Sequence, residues 1–172
     1  MADPSIAPSQ VPTAGVFARL RERLEACGVP FQVLQHAPVF TSQQAAAVRG
    51  TSLASGAKAL VCKADSQFVM LVLPADRKLA SKRVRQAAGV KSLRFATTDE
   101  VAQLTGLAPG AIPPFGSLFG LPTWCDQALA DQPQINFNAG DHAISISMAF
   151  ADYQTVEQPQ MGCYTESAEP SS

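Results

Sequence analysis

The sequence predicts a single-domain α/β (α+β) protein with a mixed, curved β-sheet flanked by helices. A chain of 172 residues, 47% of them hydrophobic, is long enough to bury one proper core. Two apolar runs, 58–64 and 67–73, are separated only by Asp65-Ser66, which is the spacing of a β-hairpin. Helical and strand patterns alternate without a strict β–α–β order, so the sheet must be mixed.

The elements follow in chain order. Phe17, Leu20 and Leu24 recur at helical spacing among charged residues, and Gly28 ends that helix. Residues 31–34 form a short strand before His36-Ala37-Pro38. Thr41 can cap a helix over 42–48 that Gly50 stops. After the hairpin, Ser81 is positioned to cap a helix over 82–88 stopped by Gly89, and 93–96 is a short strand. Thr98 can cap a helix over 99–104 with two acids in its first turn. Residues 106–123 are rich in Gly and Pro and read as a long ordered loop. Strands are expected at 135–138 and 143–147, and a short helix at 148–153. Residues 1–15 and 158–172 read as flexible tails around a domain spanning 16–157.

Composition narrows the function. The longest apolar runs, such as 68–73, are too short to cross a bilayer, and residues 1–15 have Asp3 but neither a basic nor an apolar stretch. A cytoplasmic protein without membrane or DNA partners is expected. Cys27, Cys62, Cys125 and Cys163 are far apart and lack metal-ligand spacing, so they read as reduced thiols, with no metal and no cofactor. The net charge is −1, yet 77–94 holds seven basic residues and no acid. Within it, Arg77, Lys78, Lys82, Arg83 and Arg85 are either a footprint for a phosphate backbone or a solvated helix face.

Three segments carry candidate chemistry. Lys58 opens a strand that continues Ala59-Leu60-Val61-Cys62, and a desolvated ammonium is costly unless an anion meets it. It either snorkels to solvent or awaits an anionic ligand. Gly110 to Gly116 joins glycine, which lets a ligand approach the backbone, to the stiffening pair Pro113-Pro114. A structural turn around Phe115 is the ordinary alternative. Asn138-Ala139-Gly140-Asp141-His142 joins two strands. There Gly140 suits a tight turn beside a ligand, and His142 is either a proton-transfer group or a surface turn residue.

Read together, these segments resemble the family of YbaK and the editing domain inserted in bacterial prolyl-tRNA synthetase. The resemblance runs from about Val16 to Tyr153 and rests on pieces in a fixed order. They are His36-Ala37-Pro38-Val39 with Thr41, Gly56-Ala57-Lys58-Ala59-Leu60, Leu73-Pro74-Ala75-Asp76-Arg77-Lys78-Leu79, Phe95-Ala96-Thr97 with Leu104-Thr105-Gly106, the Gly110 loop, and Phe137-Asn138-Ala139-Gly140. Arg49-Gly50-Thr51-Ser52-Leu53 leading into the Lys58 segment is most similar to the freestanding YeaK-like branch.

The resemblance implies a trans-editing aminoacyl-tRNA deacylase. Its substrate would be the acceptor end of mischarged tRNA carrying a small amino acid, Ser or Thr first and Ala second, with an aminoacyl-tRNA synthetase as a further partner. It implies Lys58, Gly110 and His142 as the catalytic set. Pro113, Asn138, Gly140, Thr51 and Ser52 are expected to bind substrate, and Arg77, Lys78, Lys82, Arg83 and Arg85 to face the RNA. The pocket walls are expected from Phe31, Val33, Leu60, Met70 and Phe115. The alternative is a non-catalytic tRNA- or synthetase-binding module on the same fold.

Overall fold

The structure, a computed structural model, describes residues 13–166. Among these residues are five α-helices and eight strands, the strands forming two sheets. Helix α1 (Thr13–Ala26) buries Val16, Leu20 and Leu24 completely, and Gly28 follows it with φ +70°. Strands β2 (Ala57–Ala64) and β3 (Gln67–Pro74) form the expected antiparallel hairpin, with Asp65 at φ +52° in its two-residue turn. The short strand β4 (Leu93–Phe95) pairs antiparallel with Cys62–Ala64. On the other side β5 (Thr123–Asp126) and β8 (Gln160–Gly162) add in parallel, giving the order β4-β2-β3-β5-β8. A second, antiparallel sheet has the order β1 (Phe31–Gln35), β7 (Ile144–Ala149), β6 (Gln134–Asp141). The mixed pairing is as expected, but it is divided between two sheets that share the main core and, among the described residues, are linked by a parallel bridge from Gly56 to Asn136.

Strand β2 is buried on both faces. Ala57, Ala59 and Val61 join the main core under α1, β6 and α5 (Phe150–Glu157), whereas Cys62 and Ala64 join a second core with Leu71, Val84 and Trp124. That explains why its sequence is a continuous apolar run rather than an alternating one. Burial pushes the thiols of Cys62 and Cys125 up to about 12, so both are inert.

Helix boundaries show which local chemistry prevails. Thr41 caps α2 (Ser42–Arg49) by accepting from the Gln44 N–H, and Gly50 closes it at φ +69°. Helix α4 (Thr98–Thr105) is capped by Thr97 rather than Thr98, because Glu100 reaches back to the Thr97 N–H and completes a capping box. Ser81 is the first residue of α3 (Ser81–Ala88) rather than its cap, and no side chain caps that helix.

Two segments depart further from expectation. The Gly/Pro-rich stretch contains a 3-10 turn at Gly116–Phe119 and leads directly into β5, which at four residues is too short to show periodicity. Residues 158–166, expected as part of a flexible tail, form β8 and dock beyond it. The buried Asp126 accepts from the Tyr164 N–H at 2.7 Å, and the Tyr164 ring stacks on Trp124. Thr165 then bridges to Leu79. Met161-Gly162-Cys163-Tyr164 is too short a stretch to show a strand or helix period, so burial had no pattern to announce it. The expected tail 1–15 lies outside the described residues up to residue 12, and residues 13–15 already belong to α1.

Glu157 knots the distal side together. Its side chain is 1% exposed and accepts from the Ser117 N–H, the Ser117 hydroxyl and the Thr123 hydroxyl, while Arg23 lies 3.4 Å away. Removing the carboxylate strands these donors and the partly buried guanidinium. Glu157→Ala is expected to cost about 3–5 kcal/mol, read as a lowered midpoint in urea unfolding.

Candidate active site

The cavity follows from an interruption of the larger sheet. Strand β4 covers β2 only from Cys62 to Ala64, and the Ala96 N–H bonds the Val61 carbonyl just beyond. The Gly56–Asn136 bridge holds the opposite end. Between these two points, Ala57 to Leu60 has no strand beside it on the side away from β3. Helix α2 roofs the opening through Thr41, Ser42, Ala45, Ala46 and Arg49, leaving a cavity of about 190 Å³.

Lys58, Gly110, Asn138 and His142, from three separate segments, all line this cavity. Burial lowers the affinity of Lys58 for its proton below the ordinary Lys value of 10.5, and Asp76 partly opposes that shift. Gly110 has φ +90°, and a Cβ placed there would lie 3.4 Å from His142 Nε2. The His142 ring packs against Phe40, with centroids 4.8 Å apart. The Asn138 amide donates to the Gly110 carbonyl at 2.6 Å. The Ala111 N–H bonds the Ala108 carbonyl, so the peptide unit between residues 110 and 111 is held at both ends. Among the described residues the Gly110 N–H donates to no protein group. It is a free donor on a residue that lines the same cavity as the Lys58 cation, and N–H donors and cations together stabilise an oxyanion.

Other expected residues stand elsewhere. Pro113 is buried behind the wall, where its carbonyl accepts from the Phe115 N–H, and Ile112 faces the cavity instead. Gly140, at φ +92°, is packed against Val16 of α1 rather than a ligand, and its N–H bonds the Ala111 carbonyl. It supports the Gly110 loop from behind. Ser52 caps the 3-10 turn Leu53–Ser55, and the Thr51 hydroxyl is buried without a partner; neither lines the cavity. Of the expected walls only Leu60 lines it. Met70 and Phe115 are fully in the core, Phe31 packs at its margin and Val33 is exposed.

The basic cluster is outside the cavity but begins near its rim, since Ala75 lines the cavity and Arg77 and Lys78 follow closely. Lys78 and Lys82 are exposed, and Arg77 and Arg85 are half-buried. Arg83 is exposed but donates to the Thr165 carbonyl at 2.9 Å, so it also secures the C-terminal segment.

Arg49 was not anticipated. It lines the cavity from the last turn of α2, and burial brings its guanidinium down to about 10, still protonated at neutral pH. Sequence reasoning passes over it because a basic residue in a last helical turn already has an ordinary dipole explanation. Arg49 and Lys58 give the cavity two cations, and among the described residues no carboxylate lines it. The site therefore favours an anion or a developing negative charge.

Residues 36–156 match the family model described as the aminoacyl-tRNA editing domain. The chain is similar to the multifunctional Ser/Thr-tRNA deacylase ProXp-y of Escherichia coli (strain K12). The two are 35% identical over 148 residues, covering 83% of this chain and 89% of that protein. It is also 29% identical over 112 residues to the proline–tRNA ligase of Bacillus subtilis (strain 168), covering 62% of this chain and 20% of the ligase. A crystal structure described as a candidate trans-editing enzyme for prolyl-tRNA synthetase has the same fold, with TM-score 0.78, 23% identity, and coverage of 96% of this chain and 99% of that one.

Gly110 offers a direct check on this geometry. Gly110→Ala forces a side chain into left-handed backbone and toward His142. It is expected to cost about 1–2 kcal/mol of stability. Hydrolytic turnover should fall by about tenfold or more if the free N–H is moved from its place.

Proposed function

The chain belongs to the aminoacyl-tRNA editing domain family, and on that premise we propose that it acts in trans as a deacylase of mischarged tRNA carrying a small amino acid, Ser or Thr first and Ala second. The observation that carries this reading is the convergence of Lys58, a free Gly110 N–H and His142 on one small cavity that among the described residues has no lining carboxylate. No triad or metal is needed, because an aminoacyl ester is already activated and positioning can supply most of the rate.

The ester carbonyl enters with its oxygen toward the Gly110 N–H, and Lys58 provides the compensating charge, either on that oxygen or on the terminal phosphate. Water attacks the carbonyl carbon, and the tetrahedral intermediate places its negative charge among these donors. The bond to the ribose oxygen then breaks. That oxygen takes a proton, with the neighbouring ribose hydroxyl and His142 as the available proton carriers, and the free amino acid leaves as a carboxylate. A cavity of about 190 Å³ suits a small side chain and rejects bulky ones by size. Arg77, Lys78, Lys82 and Arg85 are proposed to meet the acceptor-stem phosphates, and an aminoacyl-tRNA synthetase is the proposed protein partner. Among the described residues no helix is long and apolar enough to cross a membrane. A cytoplasmic location follows from the proposed substrate.

Hydrolysis of Ser-, Thr-, Ala-, Cys- and Pro-tRNA by the wild type and Lys58→Ala tests this function. Release of one or two small amino acids is expected, reduced about 100-fold or more in the variant. Retained tRNA binding without release from any of the five would instead favour a binding module.

The pH profile tests the role of Lys58. Its charged form is the active one, and its native pKa is lowered, so enzymatic kcat/KM is expected to fall as pH rises through a value below 10.5. Spontaneous ester hydrolysis is subtracted, and Lys58→Arg should move this alkaline arm upward. Folding has the opposite sign. Burial disfavours the native ammonium, so this group contributes a gain in stability as pH rises from its native pKa toward 10.5.

A further inference from the structure

We propose that Arg49 is the positioning residue for the Gly110 loop, acting through Asn138. Arg49 Nη2 donates to Asn138 Oδ1 at 2.9 Å, and Arg49 Nε donates to the Ser145 hydroxyl at 2.8 Å. A guanidinium only donates, so its bond obliges the Asn138 oxygen to face it. The Asn138 amide nitrogen is thereby turned toward the Gly110 carbonyl, which it meets at 2.6 Å. If the amide flipped, its oxygen would oppose the Gly110 oxygen, and the clamp on the 110–111 peptide would be lost.

The other end of the fork is equally determined. The Ser145 hydroxyl is 2.8 Å from His36 Nε2, and His36 Nδ1 is 2.8 Å from the Ala37 carbonyl. A carbonyl only accepts, so Nδ1 carries a hydrogen, and in the neutral ring Nε2 accepts from Ser145. The Ser145 oxygen is then free to accept from Arg49. The bonds from Arg49 through Asn138 to Gly110 have one allowed direction, and with a neutral His36 ring so do those from His36 through Ser145 to Arg49. Among the described residues no carboxylate pairs with Arg49, so its burial has no ion-pair compensation. The return is control of the loop, and that control requires a planar fork with two donors at fixed separation. A lysine cannot supply it.

The proposal rests on the deacylase reading for its kinetic consequence, but not for its structural one. Two measurements are therefore made on the wild type, Arg49→Ala, Arg49→Lys and Asn138→Asp. The first is the ¹H–¹⁵N signal of the Gly110 amide, with hydrogen exchange of the Ala111 amide, in the free protein. The second is kcat and KM on a charged tRNA that the wild type hydrolyses. In Arg49→Ala the Gly110 signal should shift, and exchange of the Ala111 amide, whose N–H bonds the Ala108 carbonyl, should accelerate. Its kcat should fall about tenfold or more while KM changes by less than about threefold, since orientation rather than binding is lost.

Methylguanidinium at millimolar concentration should restore much of the kcat of Arg49→Ala. Arg49→Lys should remain slow. Asn138→Asp keeps an acceptor for Arg49 but has no N–H for Gly110, so it should be slow and not rescued by methylguanidinium. A folded Arg49→Ala with wild-type kcat, or with an undisturbed Gly110 amide, would overturn the proposal. Should the wild type hydrolyse no charged tRNA, the deacylase reading falls, and the Gly110 amide still decides whether Arg49 sets the loop.

Discussion

The bridge between Gly56 and Asn136 is the constraint on which the rest of the molecule depends. It is the backbone link between the two sheets, and it fixes β2 against β6 at the point where the larger sheet is interrupted. A Cβ at Gly56 would lie 3.0 Å from the Ala75 side chain and 3.2 Å from the Leu53 carbonyl, so the position is also crowded from behind. Asn136 is buried and donates to the Ser55 hydroxyl, which ties the bridge to the turn that precedes Lys58. The cavity is the space left where these sheets diverge, and its contents follow from which segments end there.

The site has an unusual electrical balance. Two half-buried cations face the same small space, and the nearest identifiable compensation is Asp76, which acts on Lys58 from outside the cavity lining. Desolvated charge of one sign is costly in the empty protein and becomes favourable once negative charge enters. In the proposed reaction that charge grows as the tetrahedral intermediate forms. Such a site interacts more strongly with the transition state than with the neutral ester, which is the requirement for rate rather than tight binding.

Much of this was legible in the sequence, for definable reasons. The hairpin was marked by two apolar runs around a two-residue link, and α2 by Thr41 and Gly50 at its ends. Lys58 was readable as a candidate because a charge opens a buried strand, whereas Gly110, Asn138 and His142 lay in loop and turn segments and took their roles from the family resemblance. Arg49 broke no pattern. Its significance lies in Ser145 and Asn138, both about ninety residues distant, and no local rule connects them. Gly140 shows the opposite error. A tight turn beside a ligand was expected, but Gly140 lies near the end of β6 in a left-handed conformation, and the crowding comes from α1. Strands β5 and β8 went unread because parallel strands of four and three residues derive their stability from neighbours supplied by the fold.

The unoccupied edge of β2 has a consequence for how the protein behaves in a crowded solution. A free strand edge offers hydrogen-bonding groups to any passing chain and is a common starting point for aggregation. The outer strands β4 and β8 of the larger sheet are only three residues long, which gives an intruding strand little to grip. The open stretch at Ala57 to Leu60 is more exposed in principle, but α2 lies over it. The same helix that encloses the reaction space therefore acts as a guard on colloidal stability. Variants that loosen α2 would be expected to trade catalytic access against a tendency to self-associate.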